Sequence, residues 1–90
     1  MYEVIVTNSF ARYYKICIKR RYDIILLNNL MEILAESGTV PQKNIPHILS
    51  GILNGCWECH IKSDWLLIWI KDEKLKTITL IGTGTHSDLF

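Results

Sequence analysis

Cys56-Trp57-Glu58-Cys59-His60-Ile61-Lys62-Ser63-Asp64-Trp65, continuing into the apolar run Leu66-Leu67-Ile68-Trp69-Ile70, is the stretch whose reading decides the fold. It reads as a short strand, a tight turn at Ser63-Asp64 and a second, more buried strand. A histidine, an aspartate and a tryptophan gather at that turn. The same stretch holds Cys-x-x-Cys-His, the attachment signature of c-type haem. The strand reading argues against it, because alternation sends Cys56 and Cys59 to opposite faces of a sheet. That separation equally weakens a zinc site built on the two thiols and a histidine. A thioredoxin-like redox pair requires the motif at a helix start, which is absent.

Downstream, Asp72-Glu73-Lys74 turns this strand into a third, over Leu75–Gly82, making an antiparallel hairpin. The closing Thr83-Gly84-Thr85-His86-Ser87-Asp88-Leu89-Phe90 is too short and polar for another strand. Upstream, residues 39–54 carry Pro41, Pro46 and Gly51 and read as irregular. Ile24, Leu27, Leu30, Met31 and Leu34 follow a helical period from an N-cap at Asp23 to a stop at Ser37-Gly38. An earlier helix runs from Phe10 through Tyr13, Tyr14, Cys17 and Ile18, capped at Asn8-Ser9, with Lys15 and Lys19 on its polar face. Tyr2–Val6 is a strand. The order β-α-α-β-β-β predicts one α+β domain over residues 1–90, a helical hairpin on one face of an antiparallel sheet.

At 49% apolar and 21% charged residues over 90 positions, the chain is an ordinary globule with one core. The net charge of +1 conceals a focus: residues 1–21 hold Arg12, Lys15, Lys19, Arg20 and Arg21 against Glu3 alone. Such a patch attracts anions, nucleic acid among them. No apolar run is long enough to span a bilayer, no secretory signal is visible, and three cysteines are an odd number. A reducing, cytoplasmic setting is therefore expected, with no membrane partner.

All three histidines, His47, His60 and His86, fall in or beside loops of the C-terminal half. Histidine is the side chain best suited to proton transfer near neutral pH. His60 ends one strand and Asp64 opens the next, so both share one rim of the sheet. Trp65 would offer a flat face to a nucleobase.

These residues carry a resemblance. His47, the block Glu58-Cys59-His60-Ile61-x-x-Asp64-Trp65-Leu66-Leu67-Ile68 and the ending Gly82-Thr83-Gly84-Thr85-His86-Ser87-Asp88-Leu89-Phe90 resemble the YafQ-type toxins of the RelE/ParE superfamily. The resemblance implies a RelE-like fold and a toxin of a type II toxin–antitoxin system. It implies an mRNA interferase, an endoribonuclease that cuts message on the ribosome and is neutralised by a cognate antitoxin. Cleavage would proceed by attack of the ribose 2′-hydroxyl on the adjacent phosphate, with no metal ion or other cofactor. Its active-site positions fall on His47, His60, Asp64, Trp65, His86 and Phe90. His60 and His86 would transfer protons, Asp64 would orient an imidazole, His47 would bind phosphate, and Trp65 and Phe90 would position bases.

The chain departs from that pattern at Asn54 and Trp57, where relatives commonly carry cations. The arginine missing at Trp57 is one often assigned to the phosphate, and Lys62, or Lys15 and Lys19 on the basic helix, would have to replace it toward RNA. Trp57 is therefore the position where activity should change most. Two other readings remain: a ParE-like or catalytically weakened binding toxin of the same fold, and a metal or haem module on Cys56, Cys59 and His60.

Overall fold

Glu3–Val6 (β1) enters Asn8–Lys19 (α1) through Thr7, one residue earlier than the expected cap. The Thr7 hydroxyl accepts the N–H of Phe10 at 3.1 Å, satisfying an orphan donor of the first turn. It also donates to the carbonyl of Leu80 at 2.8 Å, tying the start of the helix to the sheet. The second helix, Ile24–Ser37 (α2), begins at Asp23 with no side-chain bond and ends at Gly38, where φ is +75°. Only glycine fits there, since a Cβ would lie 2.4 Å from the Tyr2 ring.

The computed structural model describes residues 1–90 and continues with His47–Ile48 (β2), Trp57–Lys62 (β3), Trp65–Asp72 (β4), Thr77–Gly84 (β5) and His86–Leu89 (α3). The strand order is β1-β5-β4-β3-β2. Every pair is antiparallel except β1 with β5, which run parallel because the two helices and the later strands intervene between them. The α+β class and the helices on one face are as expected. The sheet gains a fifth strand, because His47–Ile48 pairs with Trp57 and Glu58 inside the segment read as irregular. Two residues are too few to leave a periodic signal. The closing segment also differs: β5 runs two residues further, and His86–Leu89 forms a one-turn helix.

The core lies between sheet and helices. Phe10 and Cys17 of α1 and Leu27, Leu30 and Leu34 of α2 meet Cys59, Leu67, Trp69, Ile78 and Leu80. Trp57 and Ile61 pack against the same cluster, so odd positions of β3 face the helices. Cys56, Glu58 and His60 therefore face the other way. A register shift between His60 and Lys62 breaks the β3–β4 ladder beside the turn and re-aims the side chains there.

Trp65 joins the core at the same end. It is 4% exposed, its indole N–H donates to the Thr83 hydroxyl at 3.0 Å, and that hydroxyl donates to the carbonyl of Leu66 at 2.8 Å. Tyr22, from the turn between the helices, packs on its ring at 4.9 Å. Replacing Thr83 with valine keeps the shape but strands a buried indole N–H. Thr83→Val is expected to lower stability by about 1–3 kcal/mol in urea unfolding.

Candidate active site

The short β2 strand sets His47 opposite Glu58 of β3. Its Nε2 lies 3.1 Å from Glu58 Oε1, and its Nδ1–H donates to the carbonyl of Ile45 at 2.9 Å. Both ring nitrogens of His47 thus face oxygen acceptors, one of them a buried carboxylate, and the two contacts fix the ring. Ile45 has φ +54°, a strained conformation for a β-branched residue, and its side chain is exposed. That strain turns its carbonyl toward His47.

His60 stands next on the same face. Its Nδ1–H donates to the carbonyl of Ser63 across the turn at 3.2 Å, and its own carbonyl accepts from Asn44 Nδ2 at 2.8 Å. The Nε2 lone pair is left unengaged.

His86 is the first residue of α3. Asp64 accepts both its backbone N–H, at 3.0 Å, and its Nδ1–H, at 2.9 Å, through one oxygen. These bonds hold the Asp64 carboxyl below the ordinary carboxylate range. Four residues cannot form a stable helix alone, and Thr85 and Asp88 supply a reciprocal capping box. Arg20, at the end of α1, binds Asp88 through two nitrogens at 2.6 and 2.9 Å. That guanidinium, with the Thr85 N–H, holds the Asp88 carboxyl far below its usual range.

The three rings form a row, with centroids 6.3 Å apart from His47 to His60 and 6.4 Å from His60 to His86. Phe90 extends it, 6.0 Å beyond His86 and largely exposed. In each imidazole an oxygen acceptor fixes Nδ1, so Nε2 is the working atom. In His60 and His86 that nitrogen is unpartnered, while in His47 it meets Glu58.

The expected site residues divide. His47, His60, Asp64, His86 and Phe90 come together, and Lys62 is exposed beside them. Trp65 does not join them: its ring is enclosed by Tyr22 and its N–H is committed to Thr83, so it offers no face to a base and serves instead to seat the turn. Lys15 lines a different groove, with Val6, Phe10, Ala11, Tyr14 and Met31. Lys19 is exposed on the last turn of α1, one residue before the anchor Arg20. Trp57 is also a correction. It stacks on Trp69 at 6.2 Å on the helix side, opposite to His60, so a side chain there does not reach the row. Glu58 and Arg20 were missed, although Glu58 stands two residues before His60 and so shares its face.

The Cys-x-x-Cys-His reading ends here. Cys59 is wholly enclosed in the core, where burial pushes its thiol up to about 12, and Cys56 lies on the other face. The three cysteines are free. No three histidine, cysteine, aspartate or glutamate side chains converge closely enough to hold a metal ion. No helix is long and apolar enough to cross a membrane.

Comparison with known proteins adds to this geometry. A family model described as the bacterial toxin of type II toxin–antitoxin system, YafQ, matches residues 2–90. The mRNA interferase toxin YafQ of Escherichia coli K12 is 31% identical over 86 residues, covering 93% of this chain and 90% of that protein. The crystal structure of a metal-bound toxin from Helicobacter pylori is similar at a TM-score of 0.89 and 32% identity, over 100% of both chains. A chain of the crystal structure of the E. coli DinJ–YafQ complex gives a TM-score of 0.89 at 27% identity, over 100% of this chain and 99% of that one.

The tautomers follow from what each ring nitrogen faces, and long-range proton–nitrogen NMR correlation reads them. His60 is expected to carry its proton on Nδ1 when neutral, and Asp64→Asn to alter the nitrogen shifts of His86 while leaving those of His47 unchanged.

Proposed function

The chain belongs to the YafQ family of bacterial toxins of type II toxin–antitoxin systems, and from that premise we propose that it is an mRNA endoribonuclease acting on message at the ribosome. The observation that carries the chemistry is the row of imidazoles, each fixed through Nδ1, with the Nε2 atoms of His60 and His86 left free.

His60 takes the proton of the ribose 2′-hydroxyl through Nε2. The 2′-oxygen attacks the adjacent phosphorus, and the bond from phosphorus to the 5′-oxygen breaks. His86, protonated and held by Asp64, delivers a proton from Nε2 to the leaving 5′-oxygen. The products are a 2′,3′-cyclic phosphate and a 5′-hydroxyl end. His47 binds the phosphate and, when protonated, adds positive potential where the phosphorane gathers negative charge. Asp64 is a positioning residue: it fixes the ring and stabilises its charged form. Phe90, exposed at the end of the row, stacks a base, and Lys62 takes phosphate.

This chemistry requires no metal, although the Helicobacter relative is described as metal-bound. The partner is a cognate antitoxin, for which the DinJ–YafQ complex is the precedent, and the setting we propose is the cytoplasm.

Cleavage of message on translating ribosomes is expected to leave cyclic phosphate ends and to continue undiminished in EDTA. His86→Ala is expected to slow single-turnover cleavage by roughly 10²–10⁴-fold. Undiminished cleavage by that variant would place the site elsewhere, and full inhibition by EDTA would overturn the metal-free mechanism.

A further inference from the structure

Beside the row, His47 faces the Glu58 carboxylate and Arg20 is paired with Asp88. A polyanionic strand needs cations that are not already paired. Two stand on the far side of Asp64, where Arg21, Tyr22, Asp23, Lys62, Asp64 and Trp65 line a cleft of about 430 Å³. Arg21 and Lys62 are both exposed and form no ion pair within the chain. Asp64 is the shared wall, holding His86 on one side and facing the cleft on the other.

The backbone at Arg21 is the second observation. Helix α1 ends in a Schellman motif: the N–H of Tyr22 donates to the carbonyl of Cys17 at 3.1 Å, and that of Arg21 to Ile18 at 3.0 Å. The position after the cap adopts a left-handed conformation, where glycine is the usual residue. Here it is Arg21, at φ +61°. At the equivalent end of α2 the chain does use glycine, Gly38. Three non-glycine residues have positive φ in this protein: Lys76 in a hairpin turn, Ile45 beneath His47, and Arg21. Two of the three therefore border the same site, and the strain at Arg21 places a guanidinium where the helix alone favours none.

We propose that Arg21 and Lys62 form a second phosphate-binding subsite, which holds the phosphodiester neighbouring the one cleaved in the histidine row. A planar guanidinium and an ammonium on two sides of the cleft grip one phosphate. Tyr22, half-buried, lines the cleft with them. The carboxylates of Asp23 and Asp64 also line the cleft, and Asp64 is engaged by His86. The subsite rests on the nuclease reading and adds unpaired positive charge beside the row.

The test separates the two. Binding is measured to a single-stranded 2′-O-methyl RNA oligonucleotide, alone and as message on a ribosome, so that affinity is read without cleavage. Arg21→Gly is expected to bind roughly tenfold more weakly, with a salt slope shallower by about 0.7, one phosphate on a single strand. The same change relieves the left-handed strain, so its melting temperature is expected to rise by a few degrees despite the looser unfolded chain. Lys62→Gln is expected to weaken binding without that rise. Unchanged affinity and slope in Arg21→Gly, or a melting temperature that falls, overturns the subsite and leaves the nuclease reading standing. A parent protein that binds the oligonucleotide in neither setting overturns both.

Discussion

A four-residue helix does not hold itself together, and the site depends on what fastens α3 to the rest of the chain. Three links do so: the Thr85–Asp88 capping box, the two bonds from Arg20 to Asp88, and the two from His86 to Asp64. Together they connect the end of α1, the β3–β4 turn and the C-terminus. Both aspartates have carboxyl groups held below their ordinary range. Their contribution is therefore fully present above the unfolded carboxylate range, near pH 4, and is lost as pH falls through the depressed folded values. Acid, not base, releases this helix. Arg20, His86 and Asp64 are substantially solvent-exposed, so each ionic link is individually modest and the anchoring comes from their number.

The same economy governs the protons. A base and an acid of one residue type need different environments to differ in protonation. Here the difference lies in what faces each Nδ1: a neutral carbonyl at His60, a carboxylate at His86. His47 differs again, since both of its nitrogens meet oxygens. The row therefore offers one ring fixed by a carbonyl alone between two rings that each meet a carboxylate, an asymmetry that in-line displacement at phosphorus can use. The cost is paid locally in backbone strain at Ile45, whose carbonyl holds His47.

Much of this was legible in the sequence, and the failures have physical causes. The β3–β4 hairpin and the amphipathic helices follow from periodicity. The placement of His60 and Asp64 on one rim follows from strand alternation across a tight turn. The short β2 strand and the one-turn α3 did not show, because tertiary pairing and a capping box create them, not propensity. Trp65 misled for a related reason: an aromatic residue opening a strand is equally suited to stacking a base or closing a core, and only Tyr22 and Thr83, distant in sequence, decide. Trp57 misled because a missing cation bears on the site only if it leaves the face that carries the histidines. Alternation alone places it opposite to His60.

The pH dependence of single-turnover cleavage tests whether His60 is the base and His86 the acid. The parent enzyme is predicted to give a bell, since one ring works unprotonated and the other protonated. His60→Ala should lose the acidic limb and His86→Ala the basic limb, each with residual activity that depends on pH in one direction only. A bell that survives intact in either variant would contradict the assignment.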